Sequence, residues 1–281
     1  MTELEKKQLQ ITACKIRMGI IDATHSAKAG HPGGSLSATE MFTYLYFKEM
    51  NVDPANQKWA DRDRFVLSKG HTAPGLYSAL AHRGFFPVED LLTLRHIDSY
   101  LQGHPNMNTV PGVDMSTGSL GQGISCAVGM ALGLKHQGKS ARVYTLLGDG
   151  EIQEGQVWEA CMSAAHYQLD NFVAIVDNNG LQIDGDIAKV MSPYPIVDKL
   201  AAFGFNVIAI DGHNFDEIEA AFENAKATKG KPTAIVMKTT KGKNVSFMEN
   251  NAGWHGKAPN DAEHDQAIAE LKAILNELEG K

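Results

Sequence analysis

The sequence has few of the features that mark secreted or membrane-spanning proteins. Only three of its 281 residues are cysteines, the widely spaced Cys14, Cys126 and Cys161, so neither a disulfide framework nor a cysteine-based zinc site is expected. No apolar run approaches the roughly 20 residues needed to cross a bilayer. The charged N-terminus, MTELEKKQLQ, lacks the apolar core of a signal peptide. We therefore expect a cytoplasmic protein whose three thiols are reduced and lie in the core.

Basic residues are also in the minority. Lysine and arginine number 26 against 33 aspartates and glutamates, a formal net charge of −7. A broad positive surface for nucleic acid or anionic membranes is therefore not expected. No internal repeat, low-complexity segment or linker divides the chain, and 43% of its residues are hydrophobic. We expect a single globular domain over residues 1–281.

The first half of the chain mixes helical patterns with irregular segments. The predicted elements are a helix over 4–25, a break at GHPGGSLS (30–37), a helix from Ser37 or Thr39 to about 50, a strand over 64–67, a helix over 74–82, an irregular stretch over 98–118, and a helix over 121–136.

The second half alternates regularly between apolar strands and amphipathic helices. Strands are predicted at 142–147, 172–177, 205–210 and 233–238, and helices at 155–168, 195–203, 215–227 and 262–278. Crossovers of helical length imply parallel strands, and continuous apolar strands imply that both faces are covered. The predicted fold class is α/β, a parallel sheet with helices on both faces.

Polar residues follow two consecutive strands of this predicted sheet. Asp149 lies between two glycines in LGDGE (147–151), and Asn179 lies thirty positions later in VDNNG (176–180). Ligands of open α/β sheets bind beyond the carboxyl ends of the strands, so these side chains are expected to be neighbours. A carboxylate and a carboxamide oxygen suit Mg²⁺ that also binds a phosphate, and Gly150 allows an N–H to approach a diphosphate. The alternative is that both segments are ordinary turns.

Four of the 11 histidines share a local pattern. His31, His71, His104 and His255 each lie on a glycine-flanked loop, in GHP, KGHTAP, GHP and WHGKAP. Neutral imidazoles can contact substrate hydroxyls and accept a proton near pH 7. A zinc site is the rival interpretation, but the spacing is not that of a zinc motif. His82, His136 and His166 lie within helical patterns and are interpreted as surface or packing residues, whereas His25, His96, His213 and His264 have no supporting context. For Lys69, Lys241, Lys243 and Lys257, which lie near these loops, a solvated lysine is the default interpretation.

Longer segments carry a resemblance to a known family. The stretch from GDG (148–150) to NN (178–179) resembles the thiamine diphosphate motif. The segments GHPGGSLSATE (30–40), DRDRFVLSKGHTAPGLYSAL (61–80), GHPN (103–106), STGSLGQGISCAVGMALG (116–133) and WHGKAP (254–259) resemble transketolase in the family's order. The resemblance covers almost the whole chain and implies the thiamine diphosphate-binding fold.

The resemblance also implies roles for individual residues. Mg²⁺ ligands would be Asp149, the Asn179 side chain and the Leu181 carbonyl. Contacts to thiamine diphosphate would come from His71, Gly118, Ser119, Leu120, Gly150, Glu154, Asn179, Lys241 and His255. The active-site histidines would be His31, His71, His104 and His255. Glu154 would also join a network where two subunits meet. Gly34 replaces a serine that contacts the cofactor in some relatives, so that contact is not transferred.

The resemblance is confined to the first domain of full-length transketolases. The glutamate that activates the cofactor in that family lies on a second domain, and nothing here resembles it. We therefore expect the N-terminal subunit of a split transketolase, active with a separate C-terminal subunit, in an α2β2 assembly of the pentose phosphate pathway. It would transfer a two-carbon ketol unit between sugar phosphates. The rivals are a split ketol-transferase for a sulfo- or branched sugar, the α subunit of a 2-oxo acid dehydrogenase, and a non-catalytic relic.

Overall fold

A computed structural model describes residues 1–281, and a five-stranded parallel sheet lies at its centre, in the order β1-β2-β3-β7-β6. The strands are β1 (Arg64–Leu67), β2 (Val143–Gly148), β3 (Phe172–Asn178), β4 (Leu181–Gln182), β5 (Gly185–Asp186), β6 (Asn206–Asp211) and β7 (Thr233–Lys238). Strands β4 and β5 form a small separate antiparallel hairpin. The predicted parallel sheet is confirmed.

Ten helices surround or extend from the sheet. They are α1 (Glu3–Ala27), α2 (Pro32–Ser37), α3 (Thr39–Tyr44), α4 (Ala73–Arg83), α5 (Gln122–His136), α6 (Gly155–His166), α7 (Ile187–Val190), α8 (Ile196–Ala202), α9 (Phe215–Ala227) and α10 (Asp261–Glu279). None of them is long and apolar enough to cross a membrane. The irregular stretch predicted over 98–118 contains neither helix nor strand.

Alternate side chains of the strands pack into two separate cores. Val173 and Ile175 of β3 join one core with residues of α1, α3, α4, α9 and α10. Ala174 and Val176 of the same strand join the other core, with residues of α5, α6 and α8. Because successive side chains of a strand point to opposite faces, this division shows that helices cover both faces of the sheet, as predicted.

The predicted break at residues 30–37 is confirmed only in part, because α1 ends at Ala27 and residues 28–31 are not helical, but a helix begins again inside the predicted break. Residues Pro32–Ser37 form helix α2, which starts with a proline at its first turn, where the missing N–H costs nothing. Its glycines serve close packing: a Cβ on Gly33 would lie 2.7 Å from the Trp254 carbonyl oxygen, and one on Gly34 would lie 2.9 Å from Thr72 Cγ2. The composition that suggested a break is therefore required by neighbouring loops.

Other differences are smaller. The helix predicted to run to about residue 50 is α-helical only to Tyr44 and continues as a wider π-type turn over Leu45–Glu49. The hairpin β4–β5 and the short α7 were not predicted. Cys14 and Cys161 are buried free thiols, whereas Cys126 is only partly buried, which corrects its assignment to the core.

Candidate active site

The carboxyl ends of β1, β2, β3 and β7 lie side by side and border a pocket of about 270 Å³. Parallel pairing puts these ends at one edge of the sheet, which is where open α/β sheets bind ligands. Ten predicted site residues line the pocket: His31, His71, Gly118, Leu120, Asp149, Gly150, Asn179, Leu181, Lys241 and His255. His104, Ser119 and Glu154 do not line it. The pocket also contains residues that were not predicted: Lys69, Gly148, Glu151, Gln153, Gln182 and Ile183.

Asp149 and the segment around Asn179 are in direct contact. The Asp149 carboxylate, 2% exposed, accepts the N–H of Gly150 at 2.9 Å and that of Gly180 at 2.6 Å. Asn179 Oδ1 accepts the Leu181 N–H at 3.1 Å. Burial and the nearby Asp177 raise the pKa of Asp149 to about 6. A buried carboxylate held mainly by backbone N–H groups is suited to a cation.

Asp177 is a buried centre beneath the pocket that the sequence did not predict. It is 0% exposed, forms an ion pair with Lys69, and accepts hydrogen bonds from Ser37, Thr239 and, at 3.1 Å, Asn179 Nδ2. Burial opposes its charge, but Lys69 and the hydrogen bonds keep its pKa below the ordinary value. Lys69 is 2% exposed, so its interpretation as a solvated lysine is wrong.

Glu151 connects three loops of the site. One carboxylate oxygen accepts hydrogen bonds from the Ser68 hydroxyl at 2.6 Å and from the Gly121 N–H at 3.0 Å. The other accepts a hydrogen bond from the Gly148 N–H at 3.0 Å. Burial raises the pKa of Glu151. Because both oxygens accept hydrogen bonds inside the chain, Glu151 holds the loops of Ser68, Gly121 and Gly148 together.

Three of the four predicted histidines converge. The ring centroids of His31, His71 and His255 lie 5.1 to 5.4 Å apart in all three pairings. Burial and neighbouring cations lower the pKa of His31 to about 4 and that of His255 to about 3, and lower the pKa of His71 strongly. All three are therefore neutral at pH 7 and can donate through one nitrogen and accept through the other.

Lys241 joins this cluster to the candidate metal-binding loop. Its ammonium group donates to the Leu181 carbonyl at 3.1 Å and contacts His255 Nδ1 at 2.8 Å. Burial lowers the pKa of Lys241 to about 8, and Asp149 and Asp177 oppose that shift. The lysine is therefore still mainly charged at pH 7 and can contact an anion in the pocket.

His104 lies beside the pocket, on the far side of Gly118. A Cβ on Gly118, whose φ is +146°, would lie 2.9 Å from the His104 ring. The backbone of this loop is held by Tyr77, whose hydroxyl donates to the carbonyls of Gln102 and His104 at 2.9 and 3.0 Å. Ser119 and Glu154 are exposed. No group of three or more His, Cys, Asp or Glu side chains is arranged to hold a metal ion.

The lowered histidine pKa values predict acid sensitivity. A histidine that resists protonation when folded takes up a proton on unfolding below the ordinary pKa of about 6.5, so its contribution to stability is present above that pH and is lost as the pH falls toward 4. Between pH 6.5 and 5, the free energy of unfolding should fall by on the order of 1 kcal/mol less in the His31→Gln variant than in wild type. Urea unfolding checks this, with the exposed His96→Gln as control; equal pH slopes would contradict it.

Comparison with known proteins identifies the family. Residues 8–275 match the model of the transketolase thiamine diphosphate-binding domain. The chain belongs to the transketolase family. It is thus a member of a family of transferases, as the sequence predicted. The match to this family leaves the α subunit of a 2-oxo acid dehydrogenase without support.

Individual relatives in the transketolase family fall into two length classes. The chain is 46% identical to a subunit of the 6-deoxy-6-sulfo-D-fructose transketolase of Clostridium sp. (strain MSTE9), over 94% of this chain and 96% of that one. It is 40% identical to one subunit of the apulose-4-phosphate transketolase of Phocaeicola vulgatus, covering 98% of both. The solved transketolase of Campylobacter jejuni superposes with a TM-score of 0.88 at 33% identity, covering 96% of this chain but 45% of that one. The chain therefore spans less than half of that solved transketolase.

Proposed function

We propose that this chain is the Mg²⁺- and diphosphate-binding subunit of a thiamine-dependent transketolase made of two kinds of chain. Together with a separate C-terminal subunit, in an α2β2 assembly, it transfers a two-carbon ketol unit from a ketose phosphate to an aldose phosphate. The observation that carries the proposal is the convergence of Asp149, Asn179, Lys241 and three neutral histidines at adjacent strand ends. Residues 1–281 act as one domain in this proposal.

The donor set fits Mg²⁺. Asp149, Asn179 Oδ1 and the Leu181 carbonyl are hard oxygen ligands of the kind Mg²⁺ binds together with phosphate oxygens. The Asp149 carboxylate makes no salt bridge with any lysine or arginine side chain, so a bound cation would offset the cost of its burial. The Leu181 carbonyl accepts one hydrogen bond from Lys241 and keeps a second lone pair for a metal.

The diphosphate would be held chiefly by Lys241 and the metal. The Gly150 N–H, expected to contact the diphosphate, donates to Asp149 in this structure, so its proposed role is to fix the carboxylate. His71 and His255 border the same pocket and can donate to phosphate or sugar oxygens. Gly118 and Leu120 also line the pocket; beside them we place the rings of the cofactor, with the exposed Ser119 and Glu154 at the rim.

Thiamine diphosphate supplies the carbon centre that holds the ketol unit when the cofactor is bound. The residues of this chain bind and orient the substrate. His31, His71 and His255 present neutral imidazoles to sugar hydroxyls, and each can accept a proton because it is uncharged at pH 7. The exposed His104 ring packs against Gly118, where in this proposal it contacts the part of the sugar farther from the metal.

The rim of the pocket supports docking of a second subunit. Ile183 and Leu120 line the pocket and are 69% and 36% exposed. Met191 and Tyr194 follow the hairpin that carries Ile183 and are also exposed. Exposed large apolar side chains beside a site are typical of a protein interface. In this proposal the C-terminal subunit covers them and completes the cofactor site.

A second candidate concerns the sugar rather than the reaction. Two relatives that match over nearly their whole length are subunits named for 6-deoxy-6-sulfo-D-fructose and apulose-4-phosphate. A split enzyme acting on a sulfo-sugar or a branched sugar is therefore the alternative to one acting on the common ketose phosphates. The chemistry proposed for the residues of this chain is the same in both.

A ketol-transfer assay tests the proposal. This chain is assayed alone and with its C-terminal partner, with Mg²⁺, thiamine diphosphate and ribose 5-phosphate. The donors are xylulose 5-phosphate, 6-deoxy-6-sulfo-D-fructose and apulose 4-phosphate in separate reactions. We expect transfer only in the mixture, and the donor used fastest distinguishes the candidates. Activity of this chain alone would contradict the need for a partner, and no transfer with any donor would contradict the proposed reaction.

The position of His104 predicts a substrate effect without a cofactor effect. In the assembled enzyme, His104→Ala should lower kcat/KM by about 10- to 100-fold, the loss expected for one or two polar contacts to substrate. The Kd of thiamine diphosphate should stay within about threefold of wild type. Steady-state kinetics and calorimetry check these values, with the exposed His96→Ala as control. A larger loss of cofactor affinity would place the His104 loop at the cofactor instead.

A further inference from the structure

His213 uses both of its ring nitrogens in hydrogen bonds, one with a buried carboxylate and the other with the backbone of the loop that carries Lys241. Its Nδ1 lies 2.9 Å from Glu40 Oε2, and its Nε2 lies 2.9 Å from the backbone nitrogen of Thr240. The side chain is 14% exposed. No local sequence context pointed to a role for this residue.

These contacts assign the tautomer of the ring. A backbone N–H can only donate, so Nε2 must accept the hydrogen bond from Thr240 and carries no proton. The remaining proton is on Nδ1, which donates to Glu40. Glu40 is ionised, because Arg17 at 2.5 Å and His213 outweigh burial and lower its pKa to about 2. A neutral ring with the proton on Nδ1 satisfies both neighbours at once.

The Thr240 backbone leads directly to the candidate site. The preceding residue, Thr239, donates to the buried Asp177, and the Gly242 N–H donates to the Gly33 carbonyl at 3.0 Å. The Thr239 N–H also donates to the Asn178 carbonyl at 3.3 Å, and the Lys241 carbonyl accepts the Asn250 N–H at 2.9 Å. His213 thus supplies one of several anchors of the segment 239–242, and it is the one at Thr240. Lys241 extends from this segment to the Leu181 carbonyl and His255.

We infer that His213 is a positioning residue whose unprotonated Nε2 fixes the Thr240 backbone and thereby aims Lys241 at the diphosphate. The inference rests on the proposed function, since it takes Lys241 as the diphosphate contact. Acting through a neighbour's backbone, His213 does not touch the cofactor itself. Its loss should weaken cofactor binding by displacing Lys241, while Asp149 and Asn179 stay in place.

Two conservative variants separate the two contacts of the ring. The amide group of glutamine occupies the place of Nε2, so His213→Gln can still accept from Thr240 but loses Glu40. The amide group of asparagine occupies the place of Nδ1, so His213→Asn can still donate to Glu40 but leaves the Thr240 N–H unpaired. If His213 served only the stability of the fold, the cofactor affinities of the two variants would not depend on which of them retains the Thr240 contact.

The first measurement is the affinity of the assembled enzyme for thiamine diphosphate with Mg²⁺, by calorimetry, together with the melting temperature of each variant. We expect Kd within about threefold of wild type for His213→Gln and about tenfold weaker for His213→Asn, the cost of one unpaired N–H. Equal affinities in the two variants, or a weaker glutamine variant, would overturn the inference.

The second measurement does not depend on the cofactor. In the full chain, the ¹⁵N shifts of the His213 ring should show an unprotonated Nε2 and a protonated Nδ1. Hydrogen exchange at the Thr240 amide should be faster in His213→Asn than in His213→Gln. If wild type binds no thiamine diphosphate but these results hold, the proposed function fails and the positioning contact stands. The opposite tautomer, or equal exchange in both variants, would overturn the inference itself.

Discussion

Replacing Asp149 with asparagine is expected to abolish Mg²⁺-dependent binding of thiamine diphosphate, raising its Kd at least about 100-fold. Asparagine removes the only carboxylate among the three oxygen donors proposed for the metal, and Mg²⁺ in sites that also bind phosphate is held through carboxylate oxygens. The variant should still fold. The wild-type carboxylate is buried with a pKa raised to about 6, so a neutral side chain at this position removes an unfavourable charge from the protein without metal.

Calorimetry and thermal unfolding, each with and without Mg²⁺ and cofactor, test this prediction. Wild type should be stabilised by the pair of ligands, and the variant should not. Asp184→Asn is the matched control, because Asp184 is exposed on the neighbouring hairpin turn and should leave both measurements unchanged. Unchanged cofactor affinity in the Asp149 variant would remove Asp149 from the metal site.

Replacing Lys69 with methionine is expected to destabilise the chain by about 3 to 5 kcal/mol, because it leaves the fully buried Asp177 without its cation. Both partners of this ion pair are inaccessible, at 2% and 0% side-chain exposure. The Asp177 carboxylate also accepts hydrogen bonds from Asn179 Nδ2 and from the hydroxyl groups of Ser37 and Thr239. The damage should therefore extend to the loops that carry the candidate metal ligand and Lys241.

Urea unfolding of two further variants tests the cause. The double variant Lys69→Met/Asp177→Asn should regain a large part of the lost stability, since no uncompensated charge remains and the amide can still accept a hydroxyl hydrogen bond. Lys189→Met is the control, because its partner Asp186 is 3.9 Å away and both side chains are well exposed, so the loss should stay below about 1 kcal/mol. A double variant no more stable than Lys69→Met would show that charge burial is not the cause.

Much of the fold could be predicted because its signals are local. The apolar strands such as FVAIV are separated by helices of crossover length, which is typical of a parallel arrangement, and the sheet has that arrangement. Within the segment 30–37, the helix over 32–37 was missed for a reason that is not local. Its glycines are needed because Trp254 and Thr72 approach them, and both come from distant parts of the chain.

In the candidate site, too, some residues could be predicted from local sequence and others could not. Asp149, Gly150 and Asn179 were predicted as neighbours because they directly follow β2 and β3, which are adjacent strands. Lys69 and Asp177 were not paired, because 108 positions separate them and a lone lysine after a strand is usually solvated. Likewise, no local pattern connects His213 to Thr240 or to Glu40, which lies 173 positions earlier in the chain.

By itself, the sequence determined the alternation of strands and helices, the polar residues at the strand ends and the family to which they belong, because each depends on residues close together in the chain. Only the tertiary structure decided which residues of the other loops meet at this site. It brought His31, His71 and His255 into one cluster while leaving His104 behind Gly118. It also placed a buried ion pair beneath the pocket. Such contacts depend on strand order and on the packing of loops, which bring together groups that no local spacing relates.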